Sequence, residues 1–188
     1  MKQLCWILPL ILLLGSCGTT DSSKVLTGVR WADSVVAFST EYDPSPDDWS
    51  AFQALGVPNV YPAYGDIEQA WTSAEQDIQR EYLELGFFAQ PGPISSIAIF
   101  ETYNPGFVDT IYVRDASNQW QVVWSDSAFT YGDSSRIFIA NFPKTSFNVT
   151  AVRLAINEPA VTGWNEIDAV AVSDEEIPTQ YDSTGFHN

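Results

Sequence analysis

Disulfides, imidazole chemistry and positive charge are all scarce in this chain. Its 188 residues hold two cysteines, one histidine and eight Lys and Arg against 24 Asp and Glu, a formal net charge of −16. The cysteines are Cys5 and Cys17, both near the start, so the body has no pair with which to cross-link itself and depends on its core. The one histidine, His187, stands beside the C-terminus. A Ser-His-Asp or Cys-His centre therefore lacks its base, and a histidine-ligated zinc or iron site lacks its ligands. There is no phosphate-cradling glycine loop and no Gly-x-Gly-x-x-Gly. The acidic excess repels phosphates, which argues against nucleic acid as a partner. It is compatible with cations.

Long apolar runs are equally few. The longest, Trp6 to Leu14, follows Lys2 and falls short of the roughly 20 residues that span a bilayer, but has the length of an export-signal core. Leu14-Gly15-Ser16-Cys17 comes next and resembles the lipobox of bacterial lipoproteins. That resemblance implies cleavage before Cys17 and acyl chains of the palmitate type on it. Several chains together hold a protein on a membrane far better than one. Residues 1–16 are thus expected to be a signal peptide and 17–33 a lipidated tether. Gly18 is not the aspartate that retains many such proteins at the inner membrane, so the outer membrane is the expected location.

No helical period of 10–15 residues separates the remaining apolar segments. Instead the period is two. Val35–Ser39 reads as a first strand; then come Leu83, Leu85 and Phe87, with Tyr82 and Glu84 on the other face. Ile97 and Ile99 follow, then Ile111 and Val113, then Trp120, Val122 and Trp124. Ile137 and Ile139, then Val152, Leu154 and Ile156, and last Ile167, Ala169 and Ala171 complete the set. About eight strands divided by turn residues predict an all-β antiparallel sandwich or jelly roll over 34–172. Leu83, Leu85, Ile97, Ile99, Ile111, Val113, Val122, Leu154 and Ile156 are expected to point inward. Between Glu41 and Arg80 lies a long segment rich in Pro, Gly and Asp, and a segment of that length is usually functional or hides short helices. A helical turn is expected over Asp48–Leu55, capped by Asp47 or Asp48, with Trp49 and Trp71 as core plugs. The acidic tail, 173–188, is expected to be disordered.

Several phrases along this chain occur together in one known group. They are Trp49-Ser50-Ala51, Ala54 to Pro62, Gly65-Asp66, Ala70-Trp71, Glu81 to Phe87, Glu101-Thr102-Tyr103-Asn104-Pro105-Gly106 and Asn165 to Val170. The chain from about Val35 to Val172 resembles the galactose-binding-like β-sandwich module of pappalysin-type proteins, an F-box leucine-rich-repeat protein and bacterial surface proteins. The resemblance implies a two-sheet jelly roll, usually non-catalytic, whose loops at one end bind a sugar, a lipid head group or a protein. It also implies, for many relatives, a structural Ca²⁺ between an early Asp and a carboxylate near the last strand, here Asp66 and Glu166.

The polar knot Glu101, Tyr103 and Asn104 leaves two readings open. In one it faces a ligand together with Trp164; in the other Glu101 accepts loop N–H groups and Asn104-Pro105-Gly106 turns the chain. The leading functional expectation is a non-catalytic, membrane-anchored module for carbohydrate or another extracytoplasmic ligand. An accessory protein-interaction lipoprotein is the alternative. A glycosidase would need a carboxylate pair such as Glu101 with Glu166 or Asp168.

Overall fold

The computed structural model describes residues 28–44 and 47–179. The signal segment, Cys17 and His187 lie outside them. Nine strands form two antiparallel sheets, with no α-helix among the described residues. The strands are β1 (Arg30–Trp31), β2 (Ser34–Phe38), β3 (Arg80–Gly86), β4 (Ser96–Tyr103) and β5 (Val108–Arg114). They continue with β6 (Trp120–Ser125), β7 (Arg136–Asn141), β8 (Ala151–Asn157) and β9 (Glu166–Ser173). One sheet has the order β1-β9-β4-β7 and the other β2-β3-β8-β5-β6. The all-β sandwich expected from the alternation is the fold.

Alternation places Leu83, Leu85, Ile97, Ile99, Ile111, Val113, Leu154 and Ile156 in the core between the sheets, where strand side chains point to opposite faces in turn. Val122 departs from this and is 56% exposed. Ile111 pairs with Trp124 but Tyr112 pairs with Val122, so Val123 is an extra residue, a β-bulge. A bulge reverses which face follows it; Val123 and Trp124 pack on the core instead. A second bulge interrupts β9. Phe100 pairs with Ala169 and Glu101 with Ile167, so Asp168 has no partner across the ladder. Ile167 therefore faces the inter-sheet core, whereas Ala169 and Ala171 join Ala98 and Phe100 on the outer side of their sheet.

That outer side is covered by the long segment. Tyr61 meets Phe100 edge-on at 5.4 Å, and Trp31 lies 5.6 Å from the same ring. The bulged Asp168 fastens the cover by accepting the amides of Asn59, Val60 and Tyr61 at 3.0, 3.2 and 2.8 Å. Trp71, fully buried, exchanges backbone bonds with Ile167 at 2.9 and 3.0 Å, as a core plug should. The expected helical turn is a 3₁₀ turn, Ala51–Ala54. Its N-cap is Ser50, without a side-chain bond, and the Ala51 amide donates to Glu41 (2.9 Å) instead of to Asp47 or Asp48.

Two boundaries differ from the sequence reading. The stretch assigned to the tether contains β1, whose Arg30 and Trp31 pair with Val172 and Ala171. The first residues assigned to the tail pack rather than fray. Ser96 Oγ donates to the Glu175 carbonyl (2.8 Å), Asn141 Nδ2 to the Ile177 carbonyl (2.7 Å), and Ile177 is buried. Chain entry and exit are adjacent, since a Cβ on Gly28 would lie 2.9 Å from Asp174 Oδ1.

Candidate functional site

The loops between β4 and β5, between β8 and β9, and the long segment before β3 gather at one end of the sandwich. There Tyr42, Trp49, Asp66, Thr72 and Trp164 line a cavity of about 80 Å³. Backbone bonds tie its walls together: Tyr42 N–H donates to the Thr72 carbonyl (3.1 Å), and Thr72 N–H to the Trp49 carbonyl (3.3 Å). Thr72 Oγ1 donates to the Asn165 carbonyl at 3.0 Å. Trp49 reaches its place through a left-handed backbone, φ +46°. Tyr42 meets Trp49 at 5.4 Å and 69°, and Trp164 at 5.6 Å and 88°, so the three rings form an edge-to-face box.

Asp66 supplies the one carboxylate of the lining, and Trp49 Nε1 donates to its Oδ1 at 3.0 Å. Behind it lies Glu166, fully buried, whose two oxygens accept the Ile67 amide at 3.2 and 3.3 Å. Burial first, and then the charge of Asp66 and a hydrogen bond with it, push the Glu166 carboxyl up to about 9. The chain next to Tyr42 and Trp49 is acidic as well, with Asp43 and Asp48 as their sequence neighbours. Loss of hydration raises the Asp48 carboxyl above its ordinary value, and Glu68, Asp43 and Asp47 add to the shift.

Of the four residues expected to meet a ligand, Trp164 alone lines the cavity. Asn104 positions it: its Nδ2 donates to the Trp164 carbonyl (2.9 Å), Asn165 Nδ2 donates to the Asn104 carbonyl (2.9 Å), and Tyr64 donates to Asn104 Oδ1 (3.1 Å). Tyr103 is half-buried and packs edge-on against Tyr64 at 5.5 Å. Glu101 is fully buried and ion-paired with Arg136, with the Gly106 amide at 3.4 Å. Desolvation raises its carboxyl despite Arg136. The turn after it needs glycine, because a Cβ on Gly106 (φ +111°) would sit 1.8 Å from the Phe129 carbonyl oxygen. Here the structural reading of the knot prevails.

Asp66 and Glu166 are brought together as the resemblance implied, and both are hard oxygen donors. They make a poor Ca²⁺ set. The ion wants six to eight oxygens, and among the described residues no third His, Cys, Asp or Glu joins the pair. Amide and indole N–H groups already point at three of the four oxygens, and the open side of Asp66 is walled by rings. The pair that a glycosidase would need is also committed elsewhere: Glu101 to Arg136, Glu166 to Ile67, Asp168 to the 59–61 amides. Tyr42 and Thr72 were not singled out by sequence reasoning, and Trp49 was placed in the core. The one available signal was the concentration of aromatics and acids in the segment 41–80.

By fold the chain belongs to the class of two-sheet antiparallel β-sandwiches. Within that class the family model described as "Pappalysin-1, SD scarf domain, C-terminal" matches residues 27–179, and the chain belongs to that family. Among curated proteins, F-box/LRR-repeat protein 4 of Bos taurus is 28% identical over 175 residues, covering 77% of this chain and 28% of that relative. The chain thus spans under a third of the relative's length. Among solved structures, XRCC1 bound to the DNA polymerase β catalytic domain superposes with TM-score 0.57 at 14% identity, over 77% of this chain and 97% of that one. Chitosan-binding module 2 of a Paenibacillus sp. IK-5 chitosanase/glucanase, in complex with chitotriose, gives 0.53 at 15% over 79% and 98%. A family 32 carbohydrate-binding module of Clostridium perfringens, in complex with GalNAc-β-1,3-galactose, gives 0.52 at 15% over 77% and 94%. At these identities the likeness is one of fold.

Proposed function

We propose that this protein is a non-catalytic carbohydrate-binding module, held at a bacterial outer membrane by lipid on Cys17. The observation that carries the binding reading is the box of Tyr42, Trp49 and Trp164 closed by Asp66 and Thr72. Sugar rings present apolar C–H faces to aromatic rings and hydroxyls to polar groups, and a mostly aromatic pocket with a few placed polar atoms offers both. Structures of the same fold carry glycans in two cases and a protein in another; the small aromatic pocket is what favours the glycan here. The commitment of Glu101, Glu166 and Asp168 to structural bonds supports binding over hydrolysis.

Glycan-array screening of the soluble domain is the test. Tyr42 is 49% exposed, so Tyr42→Ala should leave the fold intact while weakening any glycan bound by about tenfold or more, the effect of losing an aromatic anchor. Equal binding by native and Tyr42→Ala proteins would move the ligand away from this pocket, and a blank array would end the carbohydrate reading. The anchor is tested separately. Mass spectrometry of the mature protein should find an acylated Cys17 at its N-terminus; an unmodified N-terminus at a later residue would refute it.

A further inference from the structure

We propose that the sugar taken by this pocket bears a free ammonium group, seated against Asp66 between the three rings; this deepens the carbohydrate reading and rests on it. The cavity, about 80 Å³, is far smaller than the roughly 300–1,000 Å³ that enclose a drug-sized ligand. It receives one substituent and a ring edge, not a whole oligosaccharide. Its walls then decide which substituent. Trp and Tyr rings attract a cation through their negative faces, Trp most strongly, and here two Trp and one Tyr surround the space. Asp66 provides the counter-charge at the pocket wall, its Oδ1 held by the Trp49 indole N–H and its carboxylate hydrogen-bonded from behind by Glu166.

The surroundings reinforce the choice. Asp43 and Asp48 adjoin Tyr42 and Trp49 in sequence, and the Glu68 carbonyl accepts the Trp49 amide (2.7 Å). Asp48 is near enough to Asp43, Asp47 and Glu68 to feel their charges, a field that draws cations inward. No Lys or Arg lines the cavity, so a sugar carboxylate or sulfate would meet acids with nothing to pair it. A hydroxyl or N-acetyl group would satisfy Asp66 by one hydrogen bond but would use neither the rings' quadrupoles nor this field. Ca²⁺ would want oxygens where the rings stand. An organic ammonium uses the rings and Asp66 together.

The test is calorimetric titration with two probes of equal length, the trimer of glucosamine and the trimer of N-acetylglucosamine, on native, Asp66→Asn and Tyr42→Ala proteins. The native protein is expected to bind the amino trimer about tenfold or more tightly than the acetylated one. That preference should shrink at high ionic strength, because an exposed charge pair is screened. Asp66→Asn should bind both trimers alike, since its amide still accepts the Trp49 N–H; Tyr42→Ala should bind both weakly. Equal native affinity for the two trimers overturns the ammonium assignment and leaves the carbohydrate reading standing, as does a preference that survives Asp66→Asn. A melting temperature raised by Ca²⁺ in the native protein but not in Asp66→Asn would assign the place to an inorganic ion and overturn it too. Binding of neither trimer, with a blank array, removes both proposals together.

Discussion

Arg136→Met is expected to lower the unfolding free energy by about 3–5 kcal/mol at neutral pH, the usual cost of stranding one member of a buried ion pair. Glu101 has no exposed surface and would keep a single weak partner, the Gly106 amide at 3.4 Å. The guanidinium also lies over Phe129, Tyr131 and Phe138 at 5.4, 4.8 and 5.0 Å, so its removal loosens the β6–β7 connection as well. The pH dependence follows from the sign. Without Arg136 the folded-state carboxyl is raised still further above its unfolded value near 4.3. The unfolded chain releases its proton first in both proteins. The native carboxyl, already raised by burial, ionises before the variant's as pH rises, so the variant's deficit opens above the native folded-state value and grows with pH. Urea melts at pH 5 and pH 8 should show the smaller loss at pH 5. The double variant Glu101→Leu/Arg136→Met, which leaves no charge behind, should recover most of the stability. If the single variant melts like the native protein at pH 8, the pair contributes nothing to the fold.

Glu158 is expected to make the native protein more stable in mild acid than at neutral pH. It is 0% exposed, and the one polar neighbour that favours its charged form is the Ser73 hydroxyl, which is shared with the Glu75 carbonyl (3.1 Å). Burial, with Glu81 and Asp77 adding repulsion, lifts its carboxyl from 4.5 to about 7. Below 4.5 both states carry the proton and there is no penalty. Between 4.5 and 7 the unfolded chain ionises while the folded one does not, so stability falls across that window. At about 1.4 kcal/mol per unit, the loss reaches about 3 kcal/mol by pH 7, and it stays constant above. Glu158→Gln never ionises, so the difference between variant and native stability should grow across the same window. Parallel pH profiles for the two proteins would refute this account. The raised Glu166 carboxyl has the same sign, which is why the comparison with Glu158→Gln, and not the native profile alone, isolates the residue.

Much of the sandwich could be read from alternation because each strand is buried on its inner face, and water punishes any slip of register. Eight of the nine strands appear that way; β1, only Arg30 and Trp31, is too short to display a period. The errors come from bulges. Nothing in Trp120–Ser125 marks Val123 as an extra residue, so Val122 was assigned to the wrong face, and the same device at Asp168 hides behind the regular look of Ile167, Ala169 and Ala171. The pocket was less legible for a different reason. Tyr42, Trp49 and Thr72 belong to a segment with no period at all, and their meeting depends on backbone bonds between residues far apart in sequence. Asp66 follows from the family resemblance, which also brings its loop beside the Trp164–Glu166 approach to β9, but the aromatic partners Tyr42 and Trp49 do not follow from it. Glu101, the most conspicuous carboxylate by its setting, is needed for packing.

The adjacency of Gly28 and Asp174 bears on how the module is displayed. Both ends of the folded unit leave from the pole opposite the aromatic box, where β1 meets the end of β9. A domain whose ends lie together can be set into or onto a longer chain without disturbing its interior. Attached through either end it would hang as a pendant from one point, with the three rings at the far pole.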